Sequence, residues 1–269
     1  MIKIPKIVGI LNLSPDSFSE DSKNNNFEDY IYKWQEAGVD VIDIGAESTA
    51  PGVLSISQKT EEQRLKKIFS FLKNKNFFTK FSIDTKNAKT AINAIKNGCT
   101  MVNDVSGGRN DPEMFKVIAK HNVQYVLMYC KNSSGHADLK KNQGNVLEKI
   151  FKFFDRQIDQ AKKVGIVKEK IILDPGMGAF ISPNWRDSVL VLKNITAIKK
   201  RYNLPIFIGT SRKGFLSKLV KKDFGPQKRL GASLSTALLA AKYDVDYIRV
   251  HDVIETKHFF EVGHKLSVT

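Results

Sequence analysis

Cysteine, proline and long apolar runs are all scarce in this 269-residue chain, which has 2 cysteines and 8 prolines. Cys99 and Cys130 stand in neither CxxC nor any metal-ligand spacing, so no disulfide framework or Cys-based zinc site is visible. A reducing, cytoplasmic compartment is expected. The longest early apolar stretch, Ile7-Val8-Gly9-Ile10-Leu11, is about half a signal-peptide core and far below the roughly 18 residues of a membrane span, so no membrane partner is expected. No composition shift or Pro/Gly/Ser linker divides the chain, and residues 1–269 are expected to form one domain. Acid is also scarce relative to base: 28 Asp+Glu against 43 Lys+Arg leave a formal net charge of +15. Nucleic acid, an anionic small substrate and solvated surface lysines all fit that excess. Its distribution favours the last, because pairs such as Lys66-Lys67, Lys140-Lys141 and Lys221-Lys222 are spread evenly with no run of five or six. No nucleic-acid partner is expected.

What is present is an alternation. Near-continuous apolar runs of strand length occur at 7–11, 39–44, 81–83, 100–102, 124–128, 170–173, 206–208 and 246–250. Such runs suit strands covered on both faces. Between them lie amphipathic segments at 27–37, 60–74, 88–97, 112–120, 146–164, 185–202, 228–242 and 254–266, which predict helices. Eight strand-helix units at about 33 residues each are the arithmetic of an α/β fold of the (β/α)8 TIM-barrel kind. A doubly wound sheet would show a GxGxxG turn after its first strand, where this chain has Asn12-Leu13-Ser14-Pro15-Asp16. Long non-helical stretches follow strands one, two and five (13–26, 46–58 and 129–145), at the barrel end where active sites are built.

The strand ends carry the chemistry. They read Asn12, Asp43, Asp84, Asn103-Asp104, Met128, Asp174, Thr210-Ser211-Arg212-Lys213 and Arg249-Val250-His251-Asp252. Asp and Asn are common at such positions as turn formers and N-caps. Cations at helix N-termini are not, and an anionic ligand supplies a reason for Lys213, Arg249 and His251. Asp84 and Asp174 would be costly as lone buried acids, but a flat heterocycle with a row of N–H donors, such as an aminopyrimidinone, would satisfy both. Asn103 can donate and accept on the same ring edge.

Seven motifs in register carry a resemblance: Gly9-Ile10-Leu11-Asn12 with Ser14-Pro15-Asp16-Ser17-Phe18-Ser19, Asp43-Ile44-Gly45-Ala46-Glu47-Ser48-Thr49, Ser82-Ile83-Asp84-Thr85, Asn103-Asp104-Val105-Ser106-Gly107, Leu173-Asp174-Pro175-Gly176-Met177-Gly178, Gly209-Thr210-Ser211-Arg212-Lys213 and Arg249-Val250-His251-Asp252-Val253. In order and spacing they resemble the dihydropteroate synthases over about residues 6–255. The resemblance implies a TIM barrel that joins 6-hydroxymethyl-7,8-dihydropterin diphosphate to p-aminobenzoate, works with Mg²⁺, forms a homodimer and is a sulfonamide target. It implies pterin contacts at Asp84, Asn103, Met128, Asp174, Lys213 and Arg249, and diphosphate contacts at Asn12, Arg249 and His251, with Asn12 near Mg²⁺. Asn12, Lys213, Arg249 and His251 are the candidate catalytic groups. Asp16, Phe18, Thr49, Pro51 and Gly214 are implied on the p-aminobenzoate and loop side.

Departures from the family pattern gather on that side. Ala50 stands where an Arg is usual, Gly214 where a Ser is frequent, Ala179 where an aromatic residue is common and Tyr129 where a His is frequent. They raise the expectation of altered sulfonamide sensitivity. A corrinoid-type pterin methyltransferase is the alternative, but it leaves the cations without a diphosphate; a paralogue with another acceptor is a further one. Away from the site, Asp43 is expected to hold the loop after strand two. His121, His136, His258 and His264 are expected on the surface, Cys99 in the core and Cys130 within reach of solvent at the mouth.

Overall fold

The computed structural model describes residues 3–13, 27–48, 52–73, 75–139, 144–220 and 224–268. Asp16, Phe18, Thr49 and Pro51, with Ala50, lie outside the described residues. Eight strands run β1 (Lys6–Asn12), β2 (Val41–Gly45), β3 (Lys80–Asp84), β4 (Cys99–Asp104), β5 (Gln124–Met128), β6 (Ile171–Asp174), β7 (Phe207–Ile208) and β8 (Tyr247–Val250). Neighbouring strands pair in parallel, in the order β6-β5-β4-β3-β2-β1-β8-β7. A parallel bridge between Leu173 and Ile206 joins β6 to the start of β7 and brings the two ends of the sheet together as a barrel.

The helices are α1 (Phe27–Glu36), α2 (Gln58–Leu72), α3 (Ala88–Lys96), α4 (Met114–His121), α5 (Val146–Lys163), α6 (Trp185–Lys193), α7 (Ile195–Tyr202), α8 (Phe215–Leu219), α9 (Leu230–Lys242) and α10 (Val253–Val268). Among the described residues no helix is long and apolar enough to cross a membrane. Local chemistry sets several starts: Ser57 accepts from Thr60 N, Asn145 from Leu147 N and Asn184 from Arg186 N, each meeting a donor that the first turn leaves open.

Two helical expectations differ. The single helix expected at 185–202 is broken into α6 and α7 at Asn194, whose amide donates back to Leu190 O at 2.8 Å. An Asn side chain that serves the backbone in this way competes with helix continuation. The short α8 after β7 was not expected, because five residues are too few for a periodic pattern to show.

Two apolar layers hold the barrel. The larger lies between the outer face of the strands and the helices, and includes Ile7, Ile42, Ile83, Leu127, Leu173 and Ile248 with Leu65, Ile118, Phe154 and Ile198. The smaller plugs the interior with Val8, Val41, Met101, Val126, Ile172, Phe207 and Tyr247. Because successive side chains alternate faces, the residues two further on point the same way: Asp43, Asn103, Met128, Asp174 and Arg249. An apolar plug thus floors a polar layer at the C-terminal mouth.

Candidate active site at the barrel mouth

Arg249 organises the polar layer. Its Nε donates to Asp43 Oδ2 at 2.7 Å and its Nη2 to Asp84 Oδ2 at 2.8 Å, joining β8 to β2 and β3. Asn103 Nδ2 donates to the same Asp43 oxygen at 2.9 Å. Asp43 is fully buried and holds Arg249 and Asn103 at the mouth, which corrects its expected part in holding the loop after β2. Asp84 is not a lone acid: Arg249 meets it, so neither Asp84 nor Arg249 depends on a ligand for a charge partner.

Acceptor capacity remains. Asp43 Oδ1 and Asn103 Oδ1 are buried with no hydrogen-bond partner. Unmet buried acceptors cost free energy, and a ligand edge rich in N–H groups relieves that cost. Burial pushes the Asp84 carboxyl up to about 7, against the pull of Arg249 and with help from Asp43. Burial likewise raises Asp174 to about 6, opposed by the Gly176 N–H, Lys213 and Arg249.

The turn after β6 places Asp174. Gly176 N donates to Asp174 Oδ1 at 2.8 Å, and Gly176 itself has φ +73°. A Cβ there would lie 2.3 Å from Tyr129 O, a backbone atom that cannot swing away. Gly176→Ala is therefore expected to cost about 3 kcal/mol of stability, from left-handed strain and overpacking together. Urea unfolding measures the loss, and an unchanged midpoint would remove the turn from the account of the site.

Lys213 follows β7. Its Nζ lies 4.5 Å from the centre of the buried Phe180 ring, and its stem lies along the turn at Gly178. Burial and then Arg249 lower its ammonium to about 8, against Asp174 and Asp84. Phe180 shares an apolar cluster with Val105, Met128, Cys130 and Ala137, so Met128 lines the same side of the mouth. Gly214 is exposed at φ −61°, and an added Cβ would meet nothing.

His251 and Arg212 divide the work at β7 and β8 differently from their positions in sequence. Ser211 Oγ accepts from His251 N at 3.2 Å and lies 3.1 Å from His251 Nδ1. Desolvation, and then the nearby charges of Arg249, Arg212 and Lys213, lower the imidazole from its ordinary range, against Asp252. In the neutral ring Ser211 donates to Nδ1, which places the ring proton on Nε2. With Nδ1 beside Ser211, His251 has Nε2 available as a hydrogen-bond donor. Arg212 faces Asp252, donating from Nε at 3.1 Å and again from Nη2, and also reaches Gln227. It ties the β7 loop to the β8 loop at φ +57°, held by Arg212 N donating to Ser233 Oγ.

The structure therefore gathers Asp84, Asn103, Met128, Asp174, Lys213, Arg249 and His251 at one mouth, with Asn12 at the end of β1 opposite Gly45. Sequence reasoning missed Asp43 as the anchor of Arg249 and Ser211 as the partner of His251. The period-two step from Val41 in the plug to Asp43 could have exposed the first. Asp104, also at a strand end, is saturated by Ser106, Gly108 and Tyr125 and shapes its own turn. Two peripheral expectations are corrected. Cys130 is fully buried, its thiol pushed up to about 11 by that burial. His136 is not a free surface residue but contacts Ser55, Lys86 and Glu47.

Known proteins share this architecture. A family model described as pterin binding enzyme matches residues 8–251. A dihydropteroate synthase of Synechocystis is 33% identical over 250 residues, 92% of this chain and 85% of that protein. A crystal structure of dihydropteroate synthase from Clostridium difficile in the presence of pteroic acid has 34% identity and TM-score 0.86, covering 98% of this chain and 97% of that one. The Xanthomonas albilineans enzyme with 4-aminobenzoic acid has 28% identity and TM-score 0.87, covering 100% of this chain and 95% of that one.

Proposed function

Because the chain belongs to the dihydropteroate synthase family of pterin binding enzymes, we propose that it joins 6-hydroxymethyl-7,8-dihydropterin diphosphate to p-aminobenzoate, giving 7,8-dihydropteroate and diphosphate. The observation that carries this reading is the acceptor-rich layer of Asp43, Asp84, Asn103 and Asp174 beside Lys213, Arg249 and His251. Asp84, Asp174 and Asn103 take the N–H edge of the pterin, and Met128 packs on the ring. Lys213 and Arg249 reach across from the ring to the diphosphate. His251 donates to the diphosphate from Nε2, and Asn12 lies on the same side.

The bond change is an alkyl transfer. The aryl amine nitrogen forms a bond to the pterin methylene carbon, the C–O bond to diphosphate breaks, and the leaving oxygen keeps the electron pair. The anilinium proton passes to solvent. Negative charge grows on diphosphate, so fixed donors aimed there contribute most. An aryl amine is nucleophilic at neutral pH without a general base.

Among the described residues no group of three His, Cys, Asp or Glu could hold a metal ion. Magnesium favours oxygen ligands, and the amide oxygen of Asn12, at the end of β1, would hold such an ion brought in with the diphosphate. When bound, the ion neutralises charge on the leaving diphosphate. A homodimer in the cytoplasm belongs to the same reading, with both thiols unpaired.

Thr49, Pro51, Asp16, Phe18 and Gly214 are assigned to the p-aminobenzoate side. Release of diphosphate that requires both substrates and magnesium tests the reaction. Tight pterin binding without release would point to a different acceptor. Gly214→Ser is expected to lower the sulfonamide inhibition constant about tenfold, because a hydroxyl with room to stand adds one hydrogen bond to a charged group. An unchanged inhibition constant would show that Gly214 does not set sulfonamide affinity.

A further inference from the structure

Lys86 follows Asp84 by two residues, and its side chain, 10% exposed, pairs with Glu47. The ammonium donates to Ser55 Oγ at 3.0 Å and to His136 Nε2 at 2.7 Å, and lies 3.4 Å from Glu47 Oε2. Ser55 Oγ lies 2.6 Å from the same imidazole nitrogen. Glu47 Oε1 in turn accepts from Ile56 N at 3.1 Å. Three loops therefore meet on one buried cation: the loop after β2, at both its entering and leaving stems, the loop after β3, and the loop after β5.

The loop after β5 supplies a firm base. Arg109 donates to Cys130 O and Asn132 O, Lys131 N donates to Phe180 O, and Lys131 pairs with Asp138. Ala137 is buried in the cluster that contains Met128 and Phe180. His136 thus stands on a loop pinned to the wall of the mouth. Glu47 and Ser55 stand on the two stems of the β2 loop.

We propose that Lys86, His136, Glu47 and Ser55 form a clamp that positions the loop after β2 for the second substrate, with Lys86 and His136 as positioning residues. The proposal rests on the assignment of that loop to the p-aminobenzoate side. The ring-binding groups Asp84, Asn103 and Asp174 lie on β3, β4 and β6, whose register the sheet sets without the clamp. Loss of the clamp therefore moves the loop and leaves the acids where they are. His136 acts as an acceptor for the ammonium, which requires its Nε2 to be unprotonated. Burial and Lys86 both favour that neutral form, against Glu47.

The test uses the full chain with Lys86→Met, His136→Ala and His136→Gln. The first two are expected to raise the KM for p-aminobenzoate about tenfold, the effect of one unmet buried polar contact, with kcat and the KM for the pterin diphosphate each within about twofold. His136→Gln, whose amide oxygen can accept from Lys86, is expected to recover most of the loss, and it remains the readout if either other variant fails to fold. Amide exchange in the ligand-free protein is the second readout: residues 52–57, Ile56 above all, exchange faster in Lys86→Met and His136→Ala while β3 and β4 do not. An unchanged KM for p-aminobenzoate, or an equal rise in both KM values, overturns the proposal. A wild-type chain that releases no diphosphate would overturn the activity instead, and exchange alone then decides the clamp: unchanged rates at 52–57 remove it.

Discussion

Arg249→Met is expected to lower kcat/KM for the pterin diphosphate by about 10³-fold, the scale for losing a donor fixed at a site of developing negative charge. The same change strips Asp43 and Asp84 of the guanidinium that both pair with. A buried carboxylate left unpaired costs about 3–5 kcal/mol, part of which is recovered when one of the two acids takes up a proton. The variant is therefore both inactive and destabilised. Arg249→Met combined with Asp43→Asn separates the two effects, because the neutral amide no longer needs a cation and can still face Asn103. Stability by urea unfolding should return toward that of the parent, while turnover stays low. Recovery of turnover in the double variant would show that Arg249 serves only the fold.

Asp84→Asn is expected to weaken pterin binding about 100-fold, if two charge-assisted hydrogen bonds of roughly 1.5–3 kcal/mol each are replaced by weaker neutral ones. Its pH dependence carries more information. Burial raises Asp84 to about 7 and Asp174 to about 6, from an ordinary 3.8. Between about 4 and about 7 the folded chain therefore binds more protons than the unfolded chain at these two sites. Their contribution to the stability of the ligand-free protein is present at low pH and lost as pH rises through that window. Substrate affinity runs the other way, since an N–H edge needs the carboxylates ionised and so binds less well as pH falls below 7. On the alkaline side Lys213, lowered to about 8, loses its charge and with it part of its hold on diphosphate. The profile of kcat/KM for the pterin diphosphate should thus be a narrow bell with its limbs near 7 and 8. Thermal unfolding of the ligand-free parent and of Asp84→Asn across pH 5 to 8 measures the opposing slope. A parent-minus-variant difference in stability that rises with pH through this range would contradict the burial of Asp84, because the opposite slope from His251 is common to both proteins.

These effects meet at one small area, and its legibility in sequence is uneven. Ring and anion groups stood out because strands covered on both faces leave polar residues only at their ends, so Asp84, Asn103, Asp174 and Arg249 were conspicuous. Asp43 was equally conspicuous and was misread. An Asp beside Gly45 has a local explanation as a loop former, and nothing in a linear pattern says that Arg249, 206 residues away, reaches back to it. His136 shows the reverse case. It sits in a polar stretch that reads as surface, and only the approach of Lys86 and Glu47 from two other loops encloses it.

The departures on the p-aminobenzoate side gain a physical meaning only in part. Ala179 leaves the aromatic position to Phe180, one residue along, whose ring lies under the Lys213 ammonium. Gly214 is open to a side chain that it does not have. Tyr129 is buried against Phe153, so the residue that stands for a frequent His packs outward from the strand rather than into the mouth.

What the sequence by itself determined is the order of strands and helices, the closed parallel architecture and the identity of most residues at the mouth. Those follow from local rules: apolar runs of strand length, helical periodicity between them, and polar residues where each strand hands over to its loop. Charge state and pairing were decided only by the tertiary structure. Whether Arg249 is a free cation or a tie between two acids, whether His251 is charged, and whether Lys86 faces the site or a clamp beside it depend on distances between residues far apart in the chain. Electrostatic free energy varies steeply with those distances and with burial, and neither is written in the spacing of the letters.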